Sequence, residues 1–189
     1  MCEGLSGNSF MELYIYENYR DVFPEASGRE LTDLLILDAL RQCGVHAGRV
    51  ERTDRGKPYI AGVCTDPDED RAVCDNSDGR PYISVSHSGA YFGCLVSDVP
   101  AGLDIQQERN VRVEKVSRRY FTEEEQRYIE KTGSDGFFLL WARKEAYCKY
   151  TGRGLEEILG GTPVLGRSDV EFTDFQLEKG MYCSCCRKI

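Results

Sequence analysis

No stretch of eighteen consecutive apolar residues occurs in the 189-residue chain, so a membrane-spanning helix is not expected. The first residues carry no basic segment followed by an apolar one, which makes a cytoplasmic location the expectation. Positive charge is in short supply. With 24 Lys and Arg against 32 Asp and Glu, the net charge is −8 and the pI about 4.9, which argues against nucleic acid as a partner. Histidine is scarce too: His46 and His87 are the two present, and they are not spaced as zinc-finger ligands. Low-complexity runs are absent, and 41% hydrophobic with 30% charged residues is the composition of an ordinary folded chain.

Cysteine is not scarce. The nine cysteines (Cys2, Cys43, Cys64, Cys74, Cys94, Cys148, Cys183, Cys185, Cys186) are odd in number and scattered, and several fall within apolar runs. That distribution suits reduced core thiols better than a disulfide framework. The cluster at 183–186 has no second ligand pair nearby to make it a zinc site and reads as part of a terminal strand.

Alternation of Met11, Leu13 and Ile15 with Glu12, Tyr14 and Tyr16 predicts a half-buried strand. Residues 28–43 read as a mostly buried helix stopped by Gly44. A turn at Arg55, Gly56, Lys57 and Pro58 leads to a short apolar run at 59–63 and then to an acidic stretch (Asp66, Asp68, Glu69, Asp70, Asp75, Asp78) read as a solvated loop. Runs at 82–86 and 91–97 form an expected hairpin turning at 87–90, and a turn at 98–102 precedes a third strand, 103–106. Residues 112–120 read as an amphipathic helix with Arg112, Lys115 and Arg119 on one face, and Arg109 and Arg118 add to this basic patch. Thr122 with Glu125 is a capping-box pattern that opens a helix ending near Gly133, and a longer helix follows from Asp135 to Thr151. Two strand-like runs, 170–177 and 181–186, close the chain. Strands plus a substantial helix on either side of the turn near Pro100 make an α+β arrangement, with no residue-level repeat between the halves.

Trp141, Glu145 and Lys149 fall at i, i+4 and i+8 and share a helical stripe, with Lys144 one step around. An exposed helix with one favourable Glu-to-Lys pair would account for that stripe by itself. Asp104 and Gln106, two apart on a strand, project to one face. If Glu145 joined them, the three would form an all-oxygen site for a hard cation such as Mg²⁺. Ser86, His87 and Ser88 do not make a serine-hydrolase site, because strand neighbours point to opposite faces and no G-x-S-x-G elbow is present. Together with Lys57 they could clasp phosphate groups, or His87 and Lys57 are an ordinary turn residue and a solvated one.

Four segments, GKPY at 56–59, ISVSHSG at 83–89, GLDIQ at 102–106 and FFLLWARKEAYCKYTGRGL at 137–155, resemble in order and spacing the 4′-phosphopantetheinyl transferases of the Sfp type. The resemblance implies two similar α+β halves related by a pseudo-twofold, with the active site in the cleft between them. Residues 1–99 would be the N-terminal half, on the coenzyme A phosphate side, and residues 100–189 the C-terminal half with the Mg-binding and catalytic motifs. Asp104 and Glu145 match the family's Mg²⁺ ligands. Gln106 stands where the family usually has Glu as a third ligand, so a weaker metal affinity, or a water in that position, is expected. Lys57, Ser86 and His87 match residues that hold coenzyme A phosphates, Lys144 and Lys149 are the motif's two lysines near those phosphates, and Arg29 is matched to a further phosphate contact.

The implied reaction is Mg-dependent transfer of 4′-phosphopantetheine from coenzyme A to a serine of an acyl or peptidyl carrier protein, releasing adenosine 3′,5′-bisphosphate. Glu145 would be the base and Lys149 would assist the leaving phosphate. The basic patch on 112–119 would receive an acidic carrier protein, or is simply a charged helix face. A monomer is the default expectation. Two rival readings are a non-catalytic carrier-protein or coenzyme A binding module, of which Gln106 would be the sign, and a Mg-dependent phosphohydrolase.

Overall fold

In the computed structural model, which describes residues 10–54, 56–63, 80–154, 156 and 161–189, the predicted first strand forms as β1 (Met11–Glu17). The acidic stretch at 66–78, together with Arg55, Leu155, Cys2, Cys64 and Cys74, lies outside the described residues. Helix α1 (Gly28–Gln42) starts after Ser27, whose extended backbone makes it the N-cap. It buries Leu31, Leu35, Ile36, Ala39 and Leu40, a single face at helical spacing, so it is an amphipathic helix rather than the mostly buried one expected. The crowding of apolar letters suggests a wider buried face than forms, because Thr32, Asp33 and Asp38 take the half-buried flanks.

Strand β2 (Ala47–Arg52) was not expected, because Arg49, Glu51 and Arg52 mask its alternation; it pairs antiparallel with β3 (Pro58–Val63). Strands β4 (Tyr82–Ser88) and β5 (Tyr91–Ser97) form the expected hairpin, but its turn is tighter than the sequence suggested. Only Gly89 and Ala90 lie between the strands, and Gly89 takes φ +59°, a left-handed conformation open to glycine at little cost. His87 is therefore a strand residue, paired with Phe92.

Strand β6 (Ala101–Gln107) follows the turn at 98–100. Helix α2 (Val113–Tyr120) leads to α3 (Glu123–Thr151), opened by the predicted capping box between Thr122 and Glu125. The two helices expected on either side of Gly133 are present within this span, parted where Gly133 leaves the helical conformation (φ +69°, ψ −143°). Strands β7 (Val170–Glu178) and β8 (Met181–Lys188) complete the chain as a hairpin.

The strands make three antiparallel sheets, ordered β1-β5-β4, β2-β3 and β6-β8-β7. The two three-stranded sheets share one connectivity: the first strand of each pairs with its last, and the penultimate strand lies on the other side of that last strand. One core gathers Leu35, Ile36, Leu40 and Phe92 under α1, and a second gathers Phe121, Phe137, Phe138 and Leu140 under α3. A third, with Leu95, Leu103, Ile105, Met181, Cys183 and Cys185, fills the space between the two sheets. The cysteines of β8 thus serve as buried apolar side chains, and the neighbouring Cys185 and burial push the Cys183 thiol well up from its ordinary range.

Edge strands β4 and β6 face each other across the seam between those sheets. The serine hydroxyls of β4 bridge it. Leu103 N–H donates to Ser84 Oγ (2.9 Å), Ile105 N–H to Ser86 Oγ (3.1 Å) and Gln107 N–H to Ser88 Oγ (3.0 Å). Alternate serines on one strand thereby satisfy alternate amides on the next, the period of two that a pleated edge requires. A second close contact fixes α3 over β6. A methyl built on Gly102 would overlap the Ala146 carbonyl oxygen and come within 2.5 Å of Tyr150 N, so the helix backbone rests directly on that glycine.

Candidate active site

Because β6 is pinned on one side by the serines and on the other by α3, the side chain two residues beyond Gly102 is held where strand and helix meet. That side chain is Asp104, which is 3% exposed. Its Oδ1 accepts from Ser86 Oγ (2.9 Å) and Lys149 Nζ (2.8 Å), and its Oδ2 accepts from Gln106 Nε2 (2.7 Å). Lys149 Nζ also donates to Val85 O (3.2 Å), so one ammonium joins α3 to both seam strands. The expected same-face pairing of Asp104 and Gln106 is present, with the amide offering its N–H rather than its oxygen.

Glu145 is half-buried on α3, one turn before Lys149. Burial raises its proton affinity above that of an ordinary glutamate, the Asp104 charge raises it further, and Lys149 pulls the other way. Two carboxylates that feel each other's charge in a poorly solvated place favour a cation between or beside them. Glu145 and Lys149 line a cavity of about 730 Å³ with Lys57, Ser84, Val85, Gly152 and Gly154. Lys57 Nζ donates to Lys149 O (2.9 Å) near the C-terminal end of α3, where orphan carbonyls and the helix dipole favour a cation. Burial lowers the pKa of Lys57 from the lysine norm.

The remaining residues expected at the site do not all gather there. Ser86 and His87 point to opposite faces of β4, so they do not clasp one group together: Ser86 is turned onto Asp104 and Ile105, while His87 lines a separate cavity of about 610 Å³. Arg29 lines that second cavity too, beside the start of α1, with Arg20 and Arg52, which no motif in the sequence singles out. Lys144 is 1% exposed and donates to Glu125 (2.9 Å) and to Thr162 O (2.6 Å), away from the Glu145 cavity. Glu125 is fully buried and also accepts from Thr122 N–H and Val164 N–H, so the capping box, Lys144 and the 162–164 loop form one network.

Trp141, at the head of the predicted stripe, stacks on Phe137 and meets Tyr120 and Phe121, anchoring α2 against α3. The stripe is thus divided, with its aromatic end in the core and its charged end in the cavity.

Residues 100–180 match the family described as the 4′-phosphopantetheinyl transferase superfamily, and this span holds Asp104, Gln106, Glu145 and Lys149. Over this span, less than half of its length, the chain is similar to that superfamily. It is 25% identical over 152 residues to the 4′-phosphopantetheinyl transferase gsp of Aneurinibacillus migulanus, an alignment covering 69% of this chain and 64% of that protein. It is 30% identical over 78 residues to the 4′-phosphopantetheinyl transferase Sfp of Bacillus subtilis (strain 168), covering 39% of this chain and 34% of that one. The 4′-phosphopantetheinyl transferase psf-1 of Bacillus pumilus is 31% identical over 78 residues, covering 39% and 33%. The chain therefore spans less than two-thirds of the length of these relatives.

Among the described residues no three His, Cys, Asp or Glu side chains cluster as a metal site. The question is then whether two carboxylates suffice. Asp104 and Glu145 fit a Mg²⁺ ion, which takes one or two protein carboxylates and leaves its other positions to water and phosphate. Gln106 could add a neutral oxygen after its amide turns over. No described helix is long and apolar enough to cross a membrane.

Proposed function

We propose that the chain transfers the 4′-phosphopantetheine group of coenzyme A to a serine of an apo acyl or peptidyl carrier protein, with Mg²⁺ as cofactor. The observation that carries this reading is that Glu145 and Lys149 line one cavity while Lys149 donates to the buried Asp104 and the Asp104 charge acts on Glu145, a strand and a helix more than forty residues apart brought together inside the span that matches the transferase superfamily. Asp104 and Glu145 would hold the Mg²⁺ ion, which would supply neutralisation of phosphate charge. Gln106, whose NH₂ donates to Asp104, would add an oxygen to that set only once its amide turns over.

Glu145 takes the proton of the attacking serine hydroxyl, from the cavity wall that it shares with Lys149. The serine oxygen bonds to the β-phosphorus as the bond from that phosphorus to the bridging oxygen breaks. The bridging oxygen leaves on adenosine 3′,5′-bisphosphate, where the Lys149 ammonium stabilises its charge. Lys57 lies on the same cavity wall and offers a second cation to the phosphates. The cavity with Arg29 and His87 is assigned to a further phosphate of coenzyme A, because three arginines and an imidazole gather there. Ser86 and Lys144 act by positioning: the first orients Asp104, the second stabilises the fold beneath α3.

The finer architecture follows from the same reading. The shared connectivity of the two three-stranded sheets supports a pseudo-twofold between residues 1–99 and 100–189, with coenzyme A lying across the seam. Arg112, Lys115, Arg118 and Arg119 are exposed on and beside α2, immediately after β6, and form the docking face for an acidic carrier protein. The protein acts as a monomer in the cytoplasm. Incubation with coenzyme A, Mg²⁺ and several apo carrier proteins, followed by intact mass spectrometry, tests the assignment: a phosphopantetheine adduct on at least one carrier supports it. Coenzyme A binding without any adduct would turn the assignment into a binding module, and release of bisphosphate with no carrier present would turn it into a phosphohydrolase.

A further inference from the structure

The Asp104 carboxylate is nearly sealed from solvent, and among the described residues three side chains already donate to it: Ser86 and Lys149 to Oδ1, Gln106 to Oδ2. Of these, Ser86 is itself buried and fixed by the Ile105 amide, so it has no room to leave. The other two can move. Lys149 carries its ammonium on a flexible four-carbon stem, and the Gln106 amide can turn half a revolution to exchange its NH₂ for its oxygen. Lys149 Nζ sits between Asp104 Oδ1 and Val85 O as a small monovalent cation would, in an oxygen environment that is also the one proposed for the divalent ion.

We propose that the Lys149 ammonium is an internal counter-ion that closes Asp104 to a divalent cation until a pyrophosphate draws it away, so that metal and coenzyme A bind with positive coupling. The inference rests on the metal site of the proposed function and adds its regulation. A metal arriving alone must displace the ammonium from Asp104 and then bind beside it, two cations sharing two carboxylates. The pyrophosphate changes that balance. Its oxygens give Lys149 a new partner within the same cavity and bring negative charge for the incoming ion. Lys57 helps because it holds the Lys149 backbone carbonyl, so the last turn of α3 stays in place while the side-chain head moves. Gln106 adds to the closure in this chain: a glutamate there could accept a metal but has no N–H to give to Asp104, whereas glutamine satisfies Asp104 Oδ2 without one.

The test reads metal binding rather than turnover. Mn²⁺ binding is followed from the free-ion electron paramagnetic resonance signal, in the wild-type chain and in Lys149→Met, each without and with coenzyme A, after correction for Mn²⁺ held by coenzyme A in solution. The expected result is weak binding to the wild type alone, at least tenfold tighter binding when coenzyme A is added, and at least tenfold tighter binding to Lys149→Met with no coenzyme A. Asp104→Asn should abolish the gain. Lys149→Gln, which keeps a polar head for Val85 O, gives the same reading should the Met variant melt early. Equal Mn²⁺ affinity in wild type and both Lys149 variants overturns the counter-ion role while leaving phosphopantetheine transfer, read separately by carrier-protein mass, untouched. Mn²⁺ binding that ignores Asp104→Asn overturns the counter-ion role and the metal site together.

Discussion

Gly102 lies directly beneath the Ala146 carbonyl, with no space for a methyl group between β6 and α3. The contact fixes the distance from strand to helix at the point where Asp104 and Lys149 meet two residues and one turn further along. Gly102→Ala must therefore push backbone against backbone. Overpacking of this kind typically costs about 1–3 kcal/mol. A lowered thermal midpoint and a loss of transfer activity larger than the lost folded fraction explains are the expected outcome, checked by calorimetry beside a carrier-protein assay.

Lys144 and Glu125 form a buried ion pair, so removing either partner strands a charge. Lys144→Met should lower stability by about 3–5 kcal/mol in chemical denaturation. At temperatures where the variant remains folded, KM for coenzyme A should be unchanged, since the ammonium is spent on Glu125 and Thr162. A large rise in that KM would return Lys144 to the phosphate-binding role that its motif position suggests.

Much of this site was legible in the letters and some was not, for physical reasons. Spacing placed Asp104 with Gln106 on one strand face and Glu145 with Lys149 on one helix face, because periods of two and 3.6 are local properties. The capping box at Thr122 and Glu125 was equally local. What spacing could not supply is which buried partner a charge chooses. Lys144 and Lys149 are both motif lysines, yet the helix turns one toward Glu125 and the other toward Asp104. The bridging role of Ser84, Ser86 and Ser88 was not read from the sequence, because it needs the neighbouring edge strand, which depends on tertiary contacts. Strand β2 was missed because its outward charges hid the short apolar signal.

The pH dependence of ligand binding follows from Lys57. Burial lowers its folded pKa below the ordinary 10.5, so between those two values the unfolded chain holds the extra proton and this group's contribution to stability rises with pH. Coenzyme A binding should run the opposite way, weakening as pH climbs through the lowered value and the ammonium discharges. Titration calorimetry from about pH 7 to 10 should show that limb in the wild type and a flatter profile in Lys57→Gln. Identical profiles would remove Lys57 from the phosphate site.

Charge reversal on α2 separates carrier docking from chemistry. Lys115→Glu with Arg119→Glu should raise KM for the carrier protein several-fold, more at low salt than at high, and leave KM for coenzyme A unchanged. Unchanged carrier KM at low salt would mean that the carrier docks elsewhere.

The most direct test of the shared centre is the rate at which an apo carrier protein gains phosphopantetheine mass with wild type, Asp104→Asn, Glu145→Gln and the double variant. Each single change should slow the reaction by about 10²–10⁴-fold, with the double variant little slower than the worse single one, as befits groups that act as a unit. A Glu145→Gln chain that labels the carrier at the wild-type rate would contradict the account.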